Sequence, residues 1–548
     1  MKRKILLILC SLFLGISPAF SHIITTNPLI SVGISDNSFQ RYYFSENAFY
    51  ATSPLYLIEK KTNKCLKEVP ANTQVRVFIQ NNLFNVYING QMVLSKISSP
   101  IVLKTQSDGL IGVANLKRAG KPALYRGVIE LVKPACKENM FLVNNVLDLE
   151  TYLLGVVPNE MPVRFGLEAL KVQAIAARNY ALRPREKKIH EFDVCDSVAC
   201  QVYFGANTEM PLATQAVEET RGMVGQYEDN LIVALYSSTS GGYTESYENA
   251  FLPKDDVKYP YLSAVPDNSK TTSLEEEETA KEFYTSEFDS FEKDSRYFRW
   301  TREWTKKELE NVLKQELPIA FKSEHSFPEL KNSQDFGNLK EIKVVKRGQS
   351  GKIVSLEIVT DKNTFTVQKE LVIRRLFKCQ GKALPSANVV FEPEYDSNNN
   401  LVKIKAYGGG YGHGVGMSQY GAGGMAKAGH TFDEIFRHYY SDTTIDLLPL
   451  ALSNSAENNS AVYDFYLTKK QAKIIVENKH DEVTLKVVIN GKAFNFKAEP
   501  SDEKKYIVDI SKYVNIGDNK VYFFYPLEDN KNNSVKVFIE LYGNRNDK

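Results

Sequence analysis

Several absences narrow what this chain of 548 residues can do. Cysteine is sparse: of six, Cys10 falls in an N-terminal leader, leaving Cys65, Cys136, Cys195, Cys200 and Cys379. An odd, scattered set of five is not a disulfide framework. Charge of either sign is missing in excess, with a net of +2 that becomes −1 once Lys2, Arg3 and Lys4 are removed with the leader. That balance gives no electrostatic basis for binding nucleic acid. Beyond the leader no run is long and apolar enough to cross a bilayer, and no internal repeat is visible. No phosphate loop ending in GK[ST] and no GxSxG nucleophile elbow is present.

What is present suits an exported globular protein, with 43% hydrophobic and 24% charged residues. Lys2-Arg3-Lys4, the apolar Ile5–Ile16 run and Ala19-Phe20-Ser21 read as a signal peptide over residues 1–21, which places the protein in the periplasm or cell wall. Only an uncleaved leader would give it a membrane contact. Residues 22–142 carry short β-branched and aromatic runs, at 29–34, 75–80, 84–88 and 128–132, with Asn89-Gly90 as a hairpin turn. Residues 143–450 mix helical and strand patterns. Within them 269–294 is polar, with acidic Glu275–Glu278, and reads as a solvated insertion. Residues 451–461 read as a linker, and 462–548 as a small all-β, sandwich-like domain with a tight turn at Asn490-Gly491. The fold class expected is therefore α+β: a mixed core with a β-rich N-terminal part and an appended C-terminal β domain.

The stretch 157–183 organises the chain. Glu160 stands in an apolar turn between Val156-Val157-Pro158 and Met161-Pro162. Pro162 lacks an N–H and restricts Met161, so the turn is stiff. A carboxyl in apolar surroundings has its charged form disfavoured, which suits general acid work; a capping role for Glu160 is the alternative. The helix after it, from Gly166 to Leu182, places Leu167, Leu170, Ala174, Ala177 and Ala181 on one face and Lys171 and Arg178 on a neighbouring one. Downstream come a strand at 231–236, the loop SSTSGG at 237–242, and helices opened by capping boxes at Thr305/Glu308 and Thr431/Glu434.

Two further clusters carry chemistry. His190, Cys195 and Cys200 could supply three zinc ligands; a Cys195–Cys200 disulfide or unlinked thiols are the alternatives. The glycine-dense segment 407–429 allows close backbone approach to a ligand, with His413, Ser418, Gln419 and Tyr420 as polar contacts. Gly, Ser and Thr of the 237–242 loop would shape a polyhydroxyl-binding wall.

The motifs NEMP, LEALKVQAIAARNYAL, CDSVACQVY, ALYSSTSGGYTES, PYLSAVPD and the glycine-dense run through HTFDEIFRHYY resemble the stage II sporulation protein D family with its amidase-enhancer relatives, over roughly residues 143–445. The resemblance implies a peptidoglycan lytic transglycosylase acting on peptide-stripped glycan strands, with Glu160 as catalytic acid and base. It also implies that Lys171, Arg178 and Tyr180 help form the glycan groove. His190, Cys195 and Cys200 match a zinc set that some relatives hold, so no cofactor is required and a bound zinc would be structural. Gln201, Tyr203, Ser240, Gly241, Glu245 and His413 to Tyr420 are the expected glycan contacts, and Glu245 is the second carboxylate if cleavage is hydrolytic. The expected partners are glycan strands and a cell-wall amidase. Two other readings stand beside this one: a non-catalytic glycan binder that enhances such an amidase, and a zinc hydrolase.

Overall fold

A computed structural model describes residues 24–541 except 107, 184–190, 253–256, 268–271, 287, 323–326, 454–458, 479–482, 499–504 and 526–533. The leader lies outside the described residues. The architecture is mixed α+β and rich in strand.

The N-terminal runs form two sheets. One includes Leu29–Gly33, Leu55–Glu59, Ile101–Thr105, Val128–Val132 and Phe141–Asp148; the other is built on Glu46–Ala51, Val75–Gln80, Leu83–Ile88, Gln91–Ile97, Ile111–Arg118 and Lys121–Tyr125. Asn89 and Gly90, both at positive φ, make the hairpin between Leu83–Ile88 and Gln91–Ile97. Alternate residues such as Val75, Val77 and Ile79 turn inward, as the period of two requires.

Leu167–Leu182 is the central helix, and every residue from Ala169 to Asn179 is buried. Its burial extends past the Leu/Ala face read from sequence, so its polar side chains need partners inside the protein. The strand expected at 231–236 is reduced to Asn230–Leu231 and Tyr236–Ser237, the latter pairing parallel with Met417–Ser418. Both capping boxes form, at Thr305/Glu308 and Thr431/Glu434.

A second hydrophobic core, separate from the main one, gathers Trp300, Trp304, Leu309, Phe336, Ile358 and Ile404 around Lys306–Phe321 and two three-stranded sheets. The polar stretch 269–294 is not simply solvated. Glu277–Thr285 is a helix with Ala280 and Tyr284 buried, and Glu292 is wholly buried. Its aromatic residues pack inward, while its acids divide between solvent and an internal role, so its charge alone does not mark it as solvated.

At the C-terminal end lie a five-stranded and a four-stranded sheet, all but one of whose strands fall between Leu450 and Glu540. Two details differ from the sequence reading. Leu450–Ser453, at the expected linker, is a strand pairing with Ser534–Glu540. Ile24–Thr25 pairs parallel with Ser460–Leu467, so the first described strand belongs to a C-terminal sheet.

Candidate active site

Glu160 ends the short helix Val157–Glu160, which Pro158 opens and extended Met161 closes ahead of Pro162. Its side chain is half-buried, and one carboxylate oxygen accepts the Val202 N–H. Burial pushes the carboxyl up to about 7, with the Val202 hydrogen bond opposing. At neutral pH the group is therefore divided between acid and carboxylate, the range in which one residue can give and retake a proton. Gln419 fixes the backbone beneath it: Nε2 donates to the Glu160 carbonyl oxygen (2.9 Å) and to Gln173 Oε1 (3.0 Å).

Gln419 and Tyr236 stand next to this acid, and Tyr180, half-buried, and His413 lie close to Tyr236. Burial pushes the His413 imidazole down to about 4, so it is neutral, and its Nδ1 accepts the Val415 N–H at 3.0 Å. Tyr420 accepts from Arg164 at 3.3 Å and meets the Phe165 ring edge-on. Tyr236 was not singled out from sequence, where it looked like the end of a strand.

Several expected glycan contacts are instead internal supports. Lys171 is buried between Glu168 and Glu219, each at 2.8 Å; burial pulls its pKa down, but the two carboxylates outweigh that and hold it above the usual value. Arg178 is fully buried, forked onto Glu150 (2.8 and 2.7 Å) and bonded to the Met223 carbonyl oxygen (2.9 Å). Tyr203 is buried among Tyr125 and Tyr152 with its hydroxyl on Asn145 Oδ1 (2.7 Å). Gln201 is buried against Tyr152, Ala177 and Tyr236. Ser418 caps the Gln419–Lys427 helix through Gly421 N–H. Glu245 is buried on Ser246, Asn249 and Ser350, so it is not available as a second carboxylate.

Ser240 and Gly241 belong to a loop wrapped around Glu292. That carboxylate accepts from Thr239 Oγ1 (2.6 Å), Ser240 N and Oγ (2.8 and 2.7 Å), Gly241 N (2.6 Å) and Gly242 N (2.9 Å). Gly241, at φ +87°, leaves no room for a Cβ against Gly409 and Gly410. Asn388 joins the assembly, donating to the Ser240 carbonyl oxygen at 2.9 Å and accepting from buried Lys352. Burial drives that lysine down to about 8. Glu292 was missed in the sequence because an acid in an acidic stretch reads as solvated; Phe288 and Phe291 beside it were the available signal.

Cys195 and Cys200 form a disulfide, with Cα atoms 5.5 Å apart. Zinc needs thiolates, so in this state the pair does not fit the metal, and His190 lies outside the described residues. No group of three or more His, Cys, Asp or Glu suited to a metal occurs among the described residues.

Fold and site together define a mixed α+β protein organised around one half-buried acid. Residues 137–227 match the family model described as Stage II sporulation protein. Residues 246–416 match a second model, described as Domain of unknown function (DUF8618). The chain is 30% identical over 312 residues to the amidase enhancer of Bacillus subtilis, covering 54% of this chain and 40% of that protein. It is 29% identical over 316 residues to stage II sporulation protein D of Bacillus subtilis, covering 55% and 74%. An uncharacterized protein of Brachyspira hyodysenteriae is 29% identical over 306 residues, covering 56% and 68%. The match therefore spans well under half the length of the amidase enhancer. Among the described residues no helix is long and apolar enough to cross a membrane.

Proposed function

We propose that the protein is an exported, cell-wall-remodelling lytic transglycosylase that cuts the MurNAc–GlcNAc bond of peptide-stripped glycan strands. The observation that carries this is Glu160: a single half-buried carboxyl raised to about 7 by burial, on a turn braced by Gln419. A hydrolytic glycosidase needs a second carboxylate, and Glu245 is committed elsewhere. A lytic reaction needs only one. Protonated Glu160 gives its proton to the glycosidic oxygen, and the bond from that oxygen to C1 of the muramic residue breaks. The 6-hydroxyl oxygen of the same residue bonds to C1, and its proton passes to the Glu160 carboxylate. The products are a 1,6-anhydro end and a free 4-hydroxyl; water is not consumed, and the acid is regenerated.

The second reading is a glycan-binding protein that stimulates a cell-wall amidase, favoured by the similarity to a protein named amidase enhancer. Mass spectrometry of peptide-stripped strands after incubation with wild type and with Glu160→Gln separates the two. Anhydro-ended fragments from wild type alone are expected. Reducing ends would indicate hydrolysis, and retention of glycan without cleavage by either protein would replace the enzyme with the enhancer.

A further inference from the structure

Two consecutive residues in the loop that follows the Cys195–Cys200 disulfide hold two different groups of the site. The Val202 N–H binds the Glu160 carboxylate, and the Gln201 side chain binds Tyr236. The direction of the second bond follows from its surroundings. Gln201 Nε2 lies 3.4 Å from the Ala177 carbonyl oxygen, which can only accept, so the amide nitrogen faces that side. The same nitrogen then donates to Tyr236 Oη at 3.1 Å, while the Tyr152 hydroxyl donates to Gln201 Oε1 at 3.2 Å. Tyr236 is thus an acceptor toward the protein interior, and its own proton is directed away from Gln201.

Tyr236 is half-buried. It pairs with Met417, and Gln419, two residues further on, reaches the Glu160 carbonyl oxygen. Tyr236 and the Glu160 turn are therefore both tied to the short Met417–Gln419 segment. Burial, with the Glu160 carboxylate second, holds the phenol well above its usual value, so the hydroxyl keeps its proton throughout the working pH range. Among the described residues no protein acceptor takes that proton.

We infer that Tyr236 is a hydrogen-bond donor to the bound glycan, presenting its hydroxyl to a sugar oxygen beside the bond that Glu160 protonates. This rests on the functional reading above and adds a second protein group to it. No proton is transferred by Tyr236; it contributes a fixed dipole whose direction the Tyr152–Gln201 relay sets, so no reorganisation is needed during the reaction. Gln201 is then a positioning residue.

The test is Tyr236→Phe, which keeps the ring and removes the donor. Turnover of peptide-stripped strands is expected to fall by about 100-fold, the scale for losing one oriented donor. Affinity, measured by calorimetry in the non-cleaving Glu160→Gln background, is expected to fall roughly 2- to 10-fold. Gln201→Leu should lower turnover in the wild type and cause little further loss in the Tyr236→Phe background. Additive losses would show that Gln201 does not act through Tyr236 and would overturn the relay. Wild-type turnover and affinity in Tyr236→Phe would overturn the proposal itself. If the wild-type protein makes no anhydro product, the enzyme reading falls by its own test. Weaker glycan retention by Tyr236→Phe would still uphold the donor, and equal retention would remove it.

Discussion

Gln419 donates from Nε2 to the carbonyl oxygen of Glu160 at 2.9 Å, across 259 positions of sequence. The bond ties the glycine-dense segment to the turn carrying the acid, so the two motifs are held side by side. It also shows Gln419 as a brace for Glu160, a role the sequence reading had assigned to sugar contact.

Cleavage should depend on the protonated form of Glu160. The rate is expected to fall as pH rises through about 7, and Glu160→Gln should remove activity at every pH. The stability effect has a definite sign. The folded pKa is raised above the ordinary carboxyl value of 4.5 to about 7, so the folded state holds the proton more tightly. The contribution is full below about 4.5 and is lost as pH rises to about 7. Glu160→Gln should therefore gain stability over wild type at pH 8, and the difference should shrink at pH 5 in paired urea titrations.

Arg178→Met should cost about 3–5 kcal/mol of stability, because it leaves the Glu150 carboxylate partly buried without its counter-charge, held by the Gly222 N–H. Glycan affinity of the folded protein should be unchanged, since Arg178 is enclosed. A drop in affinity with stability intact, seen by calorimetry and chemical unfolding, would return Arg178 to the groove.

Glu292→Gln should lower stability by about 2–4 kcal/mol, as an amide cannot accept from all five donors of the 239–242 loop. It should also let Asp267 titrate lower. Burial first, and Glu292 second, push that carboxyl up to about 8, and removing the neighbouring charge leaves burial alone. Urea unfolding and carboxyl NMR titration read the two effects.

Thiol titration of the unfolded mature protein distinguishes a disulfide from a zinc set. Cys65, Cys136 and Cys379 should react without reductant, Cys195 and Cys200 only after it, and metal analysis should find no stoichiometric zinc. All five reacting at once, with one zinc per chain, would reverse the assignment.

How far the site was legible in the sequence follows from where each residue's partners lie. Glu160 was legible because Pro158, Met161 and Pro162 stand beside it and define its environment locally. Lys171 and Arg178 were misplaced because the carboxylates that hold them, Glu219 and Glu150, come from other helices, and a one-face reading of the helix left them at its margin. Tyr236 and Glu292 were invisible for the same reason. Their contacts are with Gln201 and with the 239–242 amides, which only the folded chain brings near. The α+β class was readable because it rests on local periodicity and turn residues. The parallel pairing of Ile24–Thr25 with Ser460–Leu467 leaves no local trace.

The block matched as a domain of unknown function starts and finishes at almost one point in space: the Glu245 N–H, just before it, bonds the Gly414 carbonyl oxygen at 2.8 Å. A block whose ends meet can be gained, lost or exchanged during descent without opening the structure around it. Here the block and its host depend on each other, because Glu292 and Asn388 reach out of it to hold the Ser/Gly loop, with Lys352 bonded to Asn388 behind them. A homologous chain that dropped the block would have to place another anion among those amides, and a chimera that transplanted it would have to carry the loop along.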